Sequence, residues 1–231
     1  MGKDRGGERR ESGGAGKITG GYGSGVIHIF VRVPEPGTVK TRLIPLLGAS
    51  GAARLAAAMA GDAVELVRES RLPFRVVLSG PIDHPWVRTL DCEVEAQAEG
   101  DLGARLAHAL RDGGVAIGSD APTLPVNLLL EAHASTADVV LAPAFDGGFT
   151  LVGTQEPEDL FDLVPWSAPD TFARQHRRAL DLGRSVRVLP FWYDVDDAES
   201  LRFLGNHLST LPERVAARTR GFLAGWRERS A

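Results

Sequence analysis

The sequence is short of several residue types, and each shortage excludes a class of protein. It has a single cysteine, Cys92, so no disulfide can form within the chain, and a reducing cytoplasm is the expected compartment. Its six histidines show no zinc-binding spacing. The formal net charge of −4 gives the chain no overall attraction to nucleic acid or to an anionic membrane. No uncharged apolar run approaches the roughly 18 residues of a membrane helix.

What remains is the composition of an ordinary globular protein. Of 231 residues, 43% are hydrophobic and 24% are charged, and the chain is long enough for one domain of the larger kind or two small ones. Residues 1–25 differ, because they hold many glycines and charges and almost nothing apolar. We expect them to form a disordered tail that lacks the apolar centre of a secretory signal.

From residue 26 onward, apolar β-branched runs alternate with helical stretches, and this predicts an α/β fold with a mostly parallel sheet covered on both faces. The predicted strands span residues 26–33, 74–79, 92–98, 115–119, 138–142, 149–153 and 185–189. The predicted helices span residues 50–68, 101–111, 126–133, 168–181, 198–207 and 212–227, with Ser50, Asp101 and Asp197 as N-caps. No repeat or linker divides residues 26–231, which we expect to form one domain.

Open parallel sheets bind ligands at the carboxyl ends of their strands, so the loops after the strands hold the candidate residues. The loop after the first strand contains two prolines, a glycine and three cations, a composition that suits a polyphosphate. We expect this loop to present exposed cations to a nucleotide, through Arg32, Pro34, Gly37, Lys40 and Arg42. A solvated basic turn is the alternative.

Acidic residues follow two later strands. Asp120 comes directly after Ser119 at the end of a buried strand, where it can hold Mg²⁺ or Mn²⁺ beside a nucleotide. Asp194 and Asp196 lie two positions apart in an extended segment, so both should face the same side. Together with Asp120 they would complete an oxygen-rich cation site. For Asp120, the N-cap of the following helix is the alternative.

Two further motifs are open to two interpretations. Asp146 precedes Gly147 and Gly148, a pair that lets the backbone approach a ligand, but Asp-Gly is also typical of a hairpin. Asp101 and Gly103 open a helix whose amide groups can receive an anion or a base edge, although Asp101 is equally suited to capping that helix.

Seven motifs between about residues 26 and 205 occur in a recognisable order: Phe30-Val31-Arg32, Lys40-Thr41-Arg42-Leu43, Gly100-Asp101-Leu102-Gly103, Gly118-Ser119-Asp120, Asp146-Gly147-Gly148, Pro165-Trp166 and Tyr193-Asp194-Val195-Asp196. This set resembles the DUF2064 family, whose members are described as glycosyltransferases of the arsenosugar-cluster type. The resemblance implies a GT-A fold, a Rossmann-like three-layer sandwich with a nucleotide cleft and a divalent metal at Asp120. By likeness to related nucleotidylyltransferases, it also implies Asp196 as a second metal ligand.

The sequence departs from the family pattern at three positions. Phe145 stands where members usually carry Glu, Phe149 replaces the usual Tyr, and Arg32 replaces Lys. The missing Glu removes one acid from the cleft and leaves the identity of the catalytic base open. Asp146 is our candidate for that base or for a carboxylate that positions the sugar.

Two reactions fit these residues. In the first, a glycosyltransferase binds a nucleotide-sugar with its diphosphate on the metal, and a small-molecule acceptor attacks the sugar. In the second, a nucleotidylyltransferase joins a nucleoside triphosphate to a phosphorylated or phosphonate molecule and releases pyrophosphate, while Lys40 and Arg42 stabilise phosphate charge. The first loop is Pro-rich and lacks the Gly-rich form that ends in Pro-Lys, which favours glycosyl transfer. A nucleotide-binding protein without catalysis is the third interpretation.

Overall fold

The computed structural model describes residues 25–166 and 168–230, with side chains up to residue 226. The expected disordered tail lies outside these residues, apart from Gly25. The described chain has seven strands: β1 Val26–Arg32, β2 Phe74–Ser79, β3 Val94–Ala96, β4 Gly114–Gly118, β5 Val139–Pro143, β6 Phe149–Thr154 and β7 Val186–Val188. It has six α-helices: α1 Ile44–Ser70, α2 Leu102–Ala109, α3 Val126–His133, α4 Thr171–Asp181, α5 Ala198–Leu208 and α6 Ala217–Ser230.

The strands form one sheet in the order β3-β2-β1-β4-β6-β5-β7. Only β6 runs antiparallel to its neighbours, β4 and β5, and every other described pairing is parallel. The carboxyl ends of β1, β4, β5 and β7 therefore lie at the same edge of the sheet. The predicted α/β fold with a mostly parallel sheet is confirmed.

Helices cover both faces of the sheet, which explains why the strands are apolar at almost every position. Alternate residues such as Ile29 and Ile117 pack in one cluster with α1 and α3. Their neighbours in the strands, such as Ala116 and Leu141, pack in a second cluster with α2 and α4. The result is the three-layer sandwich that the sequence predicts.

Helix α1 begins earlier than predicted, and Ser50 is not its N-cap. The helix starts at Ile44 with Pro45 in its first turn, and it kinks at Gly48, whose φ of 70° and ψ of 161° are not helical. Among the described residues, one helical stretch, Thr41–Ser70, is long and apolar enough to cross a membrane. It packs against β1, α3 and α6 in this fold, so its apolar face belongs to the core.

Other boundaries also differ from the prediction by a few residues. Cys92 precedes β3 instead of lying in it, although it packs half-buried against the core. The final helix begins at Ala217 instead of residue 212, because the chain turns first and Ala216 adopts a left-handed φ of 51°.

The first turn of α6 is fixed to α1 by buried charge, at a place that we name the α6 corner (Asp62, Arg218, Thr219 and Arg220). Asp62 in α1 is 5% exposed, and its carboxylate accepts the N–H groups of Arg218 at 3.0 Å and Thr219 at 2.8 Å. The guanidinium of Arg220 donates to the carbonyl oxygens that precede α6, at Leu208, Leu211, Pro212 and Val215. Every charged group here has its partners.

Candidate active site

The loops that follow β1, β4, β5 and β7 enclose a cleft of about 920 Å³ at the carboxyl edge of the sheet. This is the edge at which open parallel sheets gather their ligands, because the loops diverge there. Charged side chains from all four loops line the cleft.

The loop after β1 carries Lys40 into the cleft. The backbone of Lys40 is left-handed (φ 47°, ψ 44°), and its carbonyl oxygen accepts the N–H of Leu43 at 2.8 Å. Val39 and Leu43 are buried on either side of it, so apolar contacts fix the loop. The sequence predicts an exposed cation at this position, which is wrong, since the Lys40 side chain is only 6% exposed.

Asp120 and Asp196 converge on the Lys40 ammonium. The Nζ atom lies 2.8 Å from Oδ1 of Asp120 and 2.6 Å from Oδ1 of Asp196. A single cation therefore reaches both carboxylates. Burial by itself would lower the pKa of Lys40, but the charges of the two carboxylates, and their hydrogen bonds to the ammonium, raise it above its ordinary value.

Backbone contacts hold the two acidic loops together. The N–H of Val195 donates to the carbonyl of Asp120 at 2.9 Å. The N–H of Asp196 donates to the Ser200 hydroxyl at 3.0 Å, and Ser200 forms a capping box with Asp197 at the start of α5. The predicted N-cap at Asp197 is confirmed, and this cap helps to fix the position of Asp196.

A chain of hydrogen bonds behind the acids joins the same two loops. The indole N–H of Trp192 donates to the Thr123 hydroxyl at 3.3 Å, and this hydroxyl donates to the Tyr193 oxygen at 2.9 Å. The Tyr193 oxygen lies 2.8 Å from Nδ1 of His207 in α5. Thr123 and Tyr193 are both buried, so this chain stiffens the support beneath Asp120 and Asp194.

Asp194 faces the cleft together with Asp196, while Val195 between them is buried. This is the alternation expected of an extended segment. The carboxylate of Asp194 makes no hydrogen bond to another residue in the described part of the chain. Its pKa is raised from 3.8 to about 6, first by burial and then by the charges of Asp146, Asp196 and Asp120. The cleft therefore holds more negative charge than Lys40 balances.

Asp146 lies in the tight turn between β5 and β6, so the Asp-Gly pair does form a hairpin. Its Oδ1 accepts the N–H of Gly148 at 2.8 Å, and the side chain also lines the cleft. Gly147 has a φ of 88°, and a Cβ there would overlap the carbonyl oxygen of Pro169. Only glycine fits at this close approach, which holds the hairpin against the segment that precedes α4.

Aromatic side chains form another wall of the cleft. The rings of Phe149 and Trp166 meet edge to face, with centroids 6.2 Å apart. Trp166 also packs against Gly103, where a Cβ would come within 2.9 Å of the indole nitrogen. Near them, Arg105 in α2 donates to the side-chain oxygen of Gln97 at 3.3 Å.

The structure brings most of the predicted site residues together. The predicted residues that line the cleft are Arg32, Lys40, Arg42, Ser119, Asp120, Asp146, Asp194 and Asp196. Pro34, Gly37, Asp101 and Gly103 do not line it. The Asp101 carboxylate instead caps α2 by accepting the N–H of Ala104 at 2.9 Å, and Gly103 is buried beneath Trp166.

Sequence reasoning did not single out Gln97, Arg105 or Phe149 as cleft residues. Gln97 follows the carboxyl end of β3, so the strand-end rule could have found it. Phe149 opens β6 directly after the Gly pair, and Arg105 lies one turn into α2. No local pattern marks Arg105, because the packing of α2 against the chain near Trp166 brings it to the cleft.

Among the described residues, no group of three or more His, Cys, Asp or Glu side chains is arranged to hold a metal. Asp120 and Asp196 nevertheless offer two oxygens at one cation position. Mg²⁺ at phosphate sites is bound by one or two carboxylates, with water and substrate phosphates completing the shell. The pair therefore fits such an ion, and Asp194 is a further carboxylate in the same cleft.

Comparison with known proteins bears on this cleft. The DUF2064 profile, described as an uncharacterized protein conserved in bacteria, matches residues 62–168. The resemblance to DUF2064 is confirmed. The matched DUF2064 segment contains Asp120, Asp146 and Trp166, whereas Lys40 and Asp196 lie outside it.

The structure is similar to a proposed nucleotide-diphospho-sugar transferase from Desulfovibrio desulfuricans G20. The two share 29% identity and a TM-score of 0.78 over 88% of this chain and 97% of the other. The fold also resembles that of CMP:2-keto-3-deoxy-manno-octonic acid synthetase complexed with CTP, with 11% identity and a TM-score of 0.51 over 80% of this chain and 98% of the other. No curated protein matches the sequence. The chain thus has a nucleotide-diphospho-sugar transferase fold, and the predicted GT-A architecture is confirmed.

Proposed function

We propose that this protein is a metal-dependent glycosyltransferase that takes a sugar from a nucleotide-activated donor and transfers it to a small-molecule acceptor. The observation that supports this most strongly is the meeting of Asp120 and Asp196 at one cation position, in a cleft that also presents Arg32 and Arg42. A polyphosphate and a divalent cation require this combination of charges at neighbouring positions.

The cations of the first loop would hold the diphosphate. Arg42 lines the cleft and makes no hydrogen bond or ion pair with any residue that the structure describes, so its guanidinium can form a bidentate contact with phosphate. The hydrogen bond of Arg32 to the Thr38 carbonyl is long, at 3.5 Å, and is easily exchanged for a phosphate contact. The cleft volume of about 920 Å³ lies near the upper end of the usual range for small-molecule sites, which suits a nucleotide with a sugar attached.

Mg²⁺ or Mn²⁺ would be held by Asp120 and Asp196, with Asp194 as a further carboxylate. When bound, the ion would neutralise the negative charge that develops on the departing nucleoside diphosphate. The raised pKa of Asp194 supports this assignment, because burial and the surrounding carboxylates both disfavour its charge. A cation in the cleft would relieve that repulsion.

The aromatic wall of the cleft favours a neutral substrate over an anionic one. Phe149 and Trp166 offer uncharged aromatic surface that can pack against the apolar face of a sugar ring. Asp146 and Asp194 line the same cleft and would accept hydrogen bonds from hydroxyl groups. The same carboxylates would repel a phosphorylated or phosphonate co-substrate.

Asp146 is the proposed base. Its side chain is exposed at the tip of the hairpin, and the N–H of Gly148 holds one of its oxygens. The other oxygen would accept the proton of the attacking acceptor hydroxyl, or a hydroxyl of the sugar if Asp146 only positions the donor.

Nucleotidylyl transfer is the second candidate, favoured by the fold likeness to the synthetase complexed with CTP. One experiment separates the two reactions: incubation of the protein with Mg²⁺ or Mn²⁺ and panels of nucleotide-sugars and nucleoside triphosphates. Release of nucleoside diphosphate from a nucleotide-sugar supports glycosyl transfer. Release of pyrophosphate from a triphosphate supports nucleotidylyl transfer instead.

The matched control uses two aspartates at opposite ends of β4. Asp112 precedes the strand with its side chain 88% exposed, and Asp120 follows it inside the cleft. Asp120→Asn should abolish release of the nucleotide product, whereas Asp112→Asn should leave it unchanged. Equal activity of the two variants would contradict the proposed site.

A further inference from the structure

The position between Asp120 and Asp196 is already taken by a cation that belongs to the chain. The Lys40 ammonium makes short contacts with one oxygen of each carboxylate, at 2.8 and 2.6 Å. Its side chain is 6% exposed, while those of Asp120 and Asp196 are 46% and 42% exposed. The acids are thus open to solvent, whereas the lysine between them is almost completely shielded from it.

The loop after β1 holds the backbone of Lys40 in one conformation. Lys40 has a left-handed conformation at φ 47°, which is uncommon for a residue other than glycine. The buried side chains of Val39 and Leu43 and the hydrogen bond from Leu43 hold the loop in that conformation. The contact between Lys40 and the acids is therefore built into the fold of the loop, in contrast to a flexible surface ion pair.

We propose that Lys40 is a tethered counter-cation that holds Asp120 and Asp196 together in the metal-free chain and competes with a divalent cation for them. This inference rests on the metal site of the proposed function. The ammonium engages Oδ1 of each carboxylate, and a divalent ion bound beside it would be repelled at close range, whichever carboxylate oxygens it used. Tight binding of the ion to both carboxylates therefore requires the ammonium to move away.

The competition links the cation to the nucleotide. Lys40 belongs to the same loop as Arg42, and both line the cleft. A displaced ammonium on its four-carbon stem stays in this cleft, where the diphosphate of the donor would receive it. Binding of the nucleotide and of the cation then support each other, and the cation alone binds weakly.

The test measures binding of Mn²⁺ alone, by the loss of the free-ion electron paramagnetic resonance signal, in the full chain. Lys40→Met keeps an unbranched side chain that matches the four-atom stem of lysine and removes the ammonium. We expect it to bind Mn²⁺ at least about tenfold more tightly than the wild type, since the charge-assisted contacts of Lys40 no longer compete. Arg42→Met removes one positive charge from the same loop without touching the acids, and its affinity for Mn²⁺ should change less than about threefold.

Two further variants make the result decisive. Lys40→Gly also removes the ammonium and suits the left-handed backbone, so it replaces Lys40→Met if the latter does not fold. Adding Asp196→Asn to either variant should abolish the gain in affinity, because the ion then loses one carboxylate.

The outcomes separate this inference from the proposed function. Equal Mn²⁺ affinity in the wild type and the Lys40 variants, or an equal gain in Arg42→Met, would overturn the competition and leave the metal site standing. Absence of Mn²⁺ binding in every variant, with and without nucleotide, would overturn both the competition and the metal site.

Discussion

Two aspartates withdrawn from solvent, one at the α6 corner and one in the cleft, show how differently this fold treats buried charge. Asp62 accepts two backbone N–H groups at 3.0 and 2.8 Å, whereas Asp194 has no hydrogen bond to another described residue. Burial raises the pKa of both, but neighbouring carboxylates raise that of Asp194 further, to about 6. Satisfied charge holds two helices together, and unsatisfied charge marks the cleft in which we propose that a ligand supplies the missing partners.

The arginines of the two regions show the same contrast. At the α6 corner, Arg220 donates from Nε and one terminal nitrogen to four backbone carbonyls, which hold its guanidinium in place. In the cleft, Arg42 makes no hydrogen bond or ion pair within the described residues. The comparison predicts that substitutions at the corner affect stability, while those in the cleft affect ligand binding and turnover.

The largest effect is expected from Asp120→Asn. The amide cannot supply the charge that a divalent cation requires, so metal-supported turnover should fall by at least about a hundredfold. The fold should survive, because Lys40 keeps its contact with Asp196. Asp196→Asn should be less severe, since Asp194 lies beside it. Steady-state kinetics together with thermal melting measure both parts, and a variant that loses its fold along with its activity would contradict the separation.

Asp62→Ala should lower stability and leave nucleotide binding unchanged, in contrast to Asp120→Asn. Two buried N–H groups at the start of α6 lose their acceptor, which should cost roughly 2–4 kcal/mol of the free energy of unfolding. Urea denaturation measures this loss. Nucleotide affinity, determined on the folded fraction, should stay the same. A large loss of nucleotide affinity with unchanged stability would contradict the purely structural role of Asp62.

The two arginines provide a matched pair of intermediate size. Arg42→Ala should weaken binding of a nucleoside diphosphate about tenfold, because it removes a charge-assisted contact to phosphate. Arg220→Ala should leave that affinity unchanged and lower the melting temperature. Isothermal titration calorimetry measures the affinity of each variant for the nucleoside diphosphate. Equal affinities of the two variants would show that the phosphate site does not include Arg42.

The smallest effect concerns pH and the metal-free protein. The pKa of Asp194 is raised in the folded state, so its contribution to stability is full below 3.8 and is lost as the pH rises through about 6. Asp194→Asn removes this dependence. Between pH 5 and 8, the free energy of unfolding of the variant should therefore rise relative to that of the wild type by about 1 kcal/mol, a figure reduced for the partial exposure of the site. Parallel curves of melting temperature against pH would argue against the buried, repelled carboxylate.

The regions also differ in how far the sequence could predict them. The acids of the cleft follow strands, so the strand pattern and the rule for parallel sheets placed Asp120, Asp194 and Asp196 at one edge. The burial of Lys40 was not predictable, because its contact with Asp196 joins residues 156 positions apart and depends on a left-handed backbone. Periodicity does not reveal an interruption within a helix either, so the sequence predicts an N-cap at Ser50 although the helix begins at Ile44 and kinks at Gly48.

The α6 corner could not be predicted from local pattern at all. Asp62 lies in the middle of α1 and reads as an ordinary polar position, yet its partners are the backbone groups of residues 156 and 157 positions away. No side-chain type marks such partners, since any non-proline residue carries an N–H. Only the packing of α6 against α1 brings them together.

A crystal structure of the protein with Mn²⁺ and a nucleoside diphosphate, with the ion located by its anomalous scattering, would show whether Asp120 and Asp196 share one cation. We expect one ion bound by oxygens of both Asp120 and Asp196 at roughly 2.0–2.6 Å, with the diphosphate beside Arg42 and the Lys40 ammonium moved off the carboxylates. An ion bound elsewhere, or a diphosphate bound while Lys40 still joins the two acids and no ion is present, would contradict the shared site.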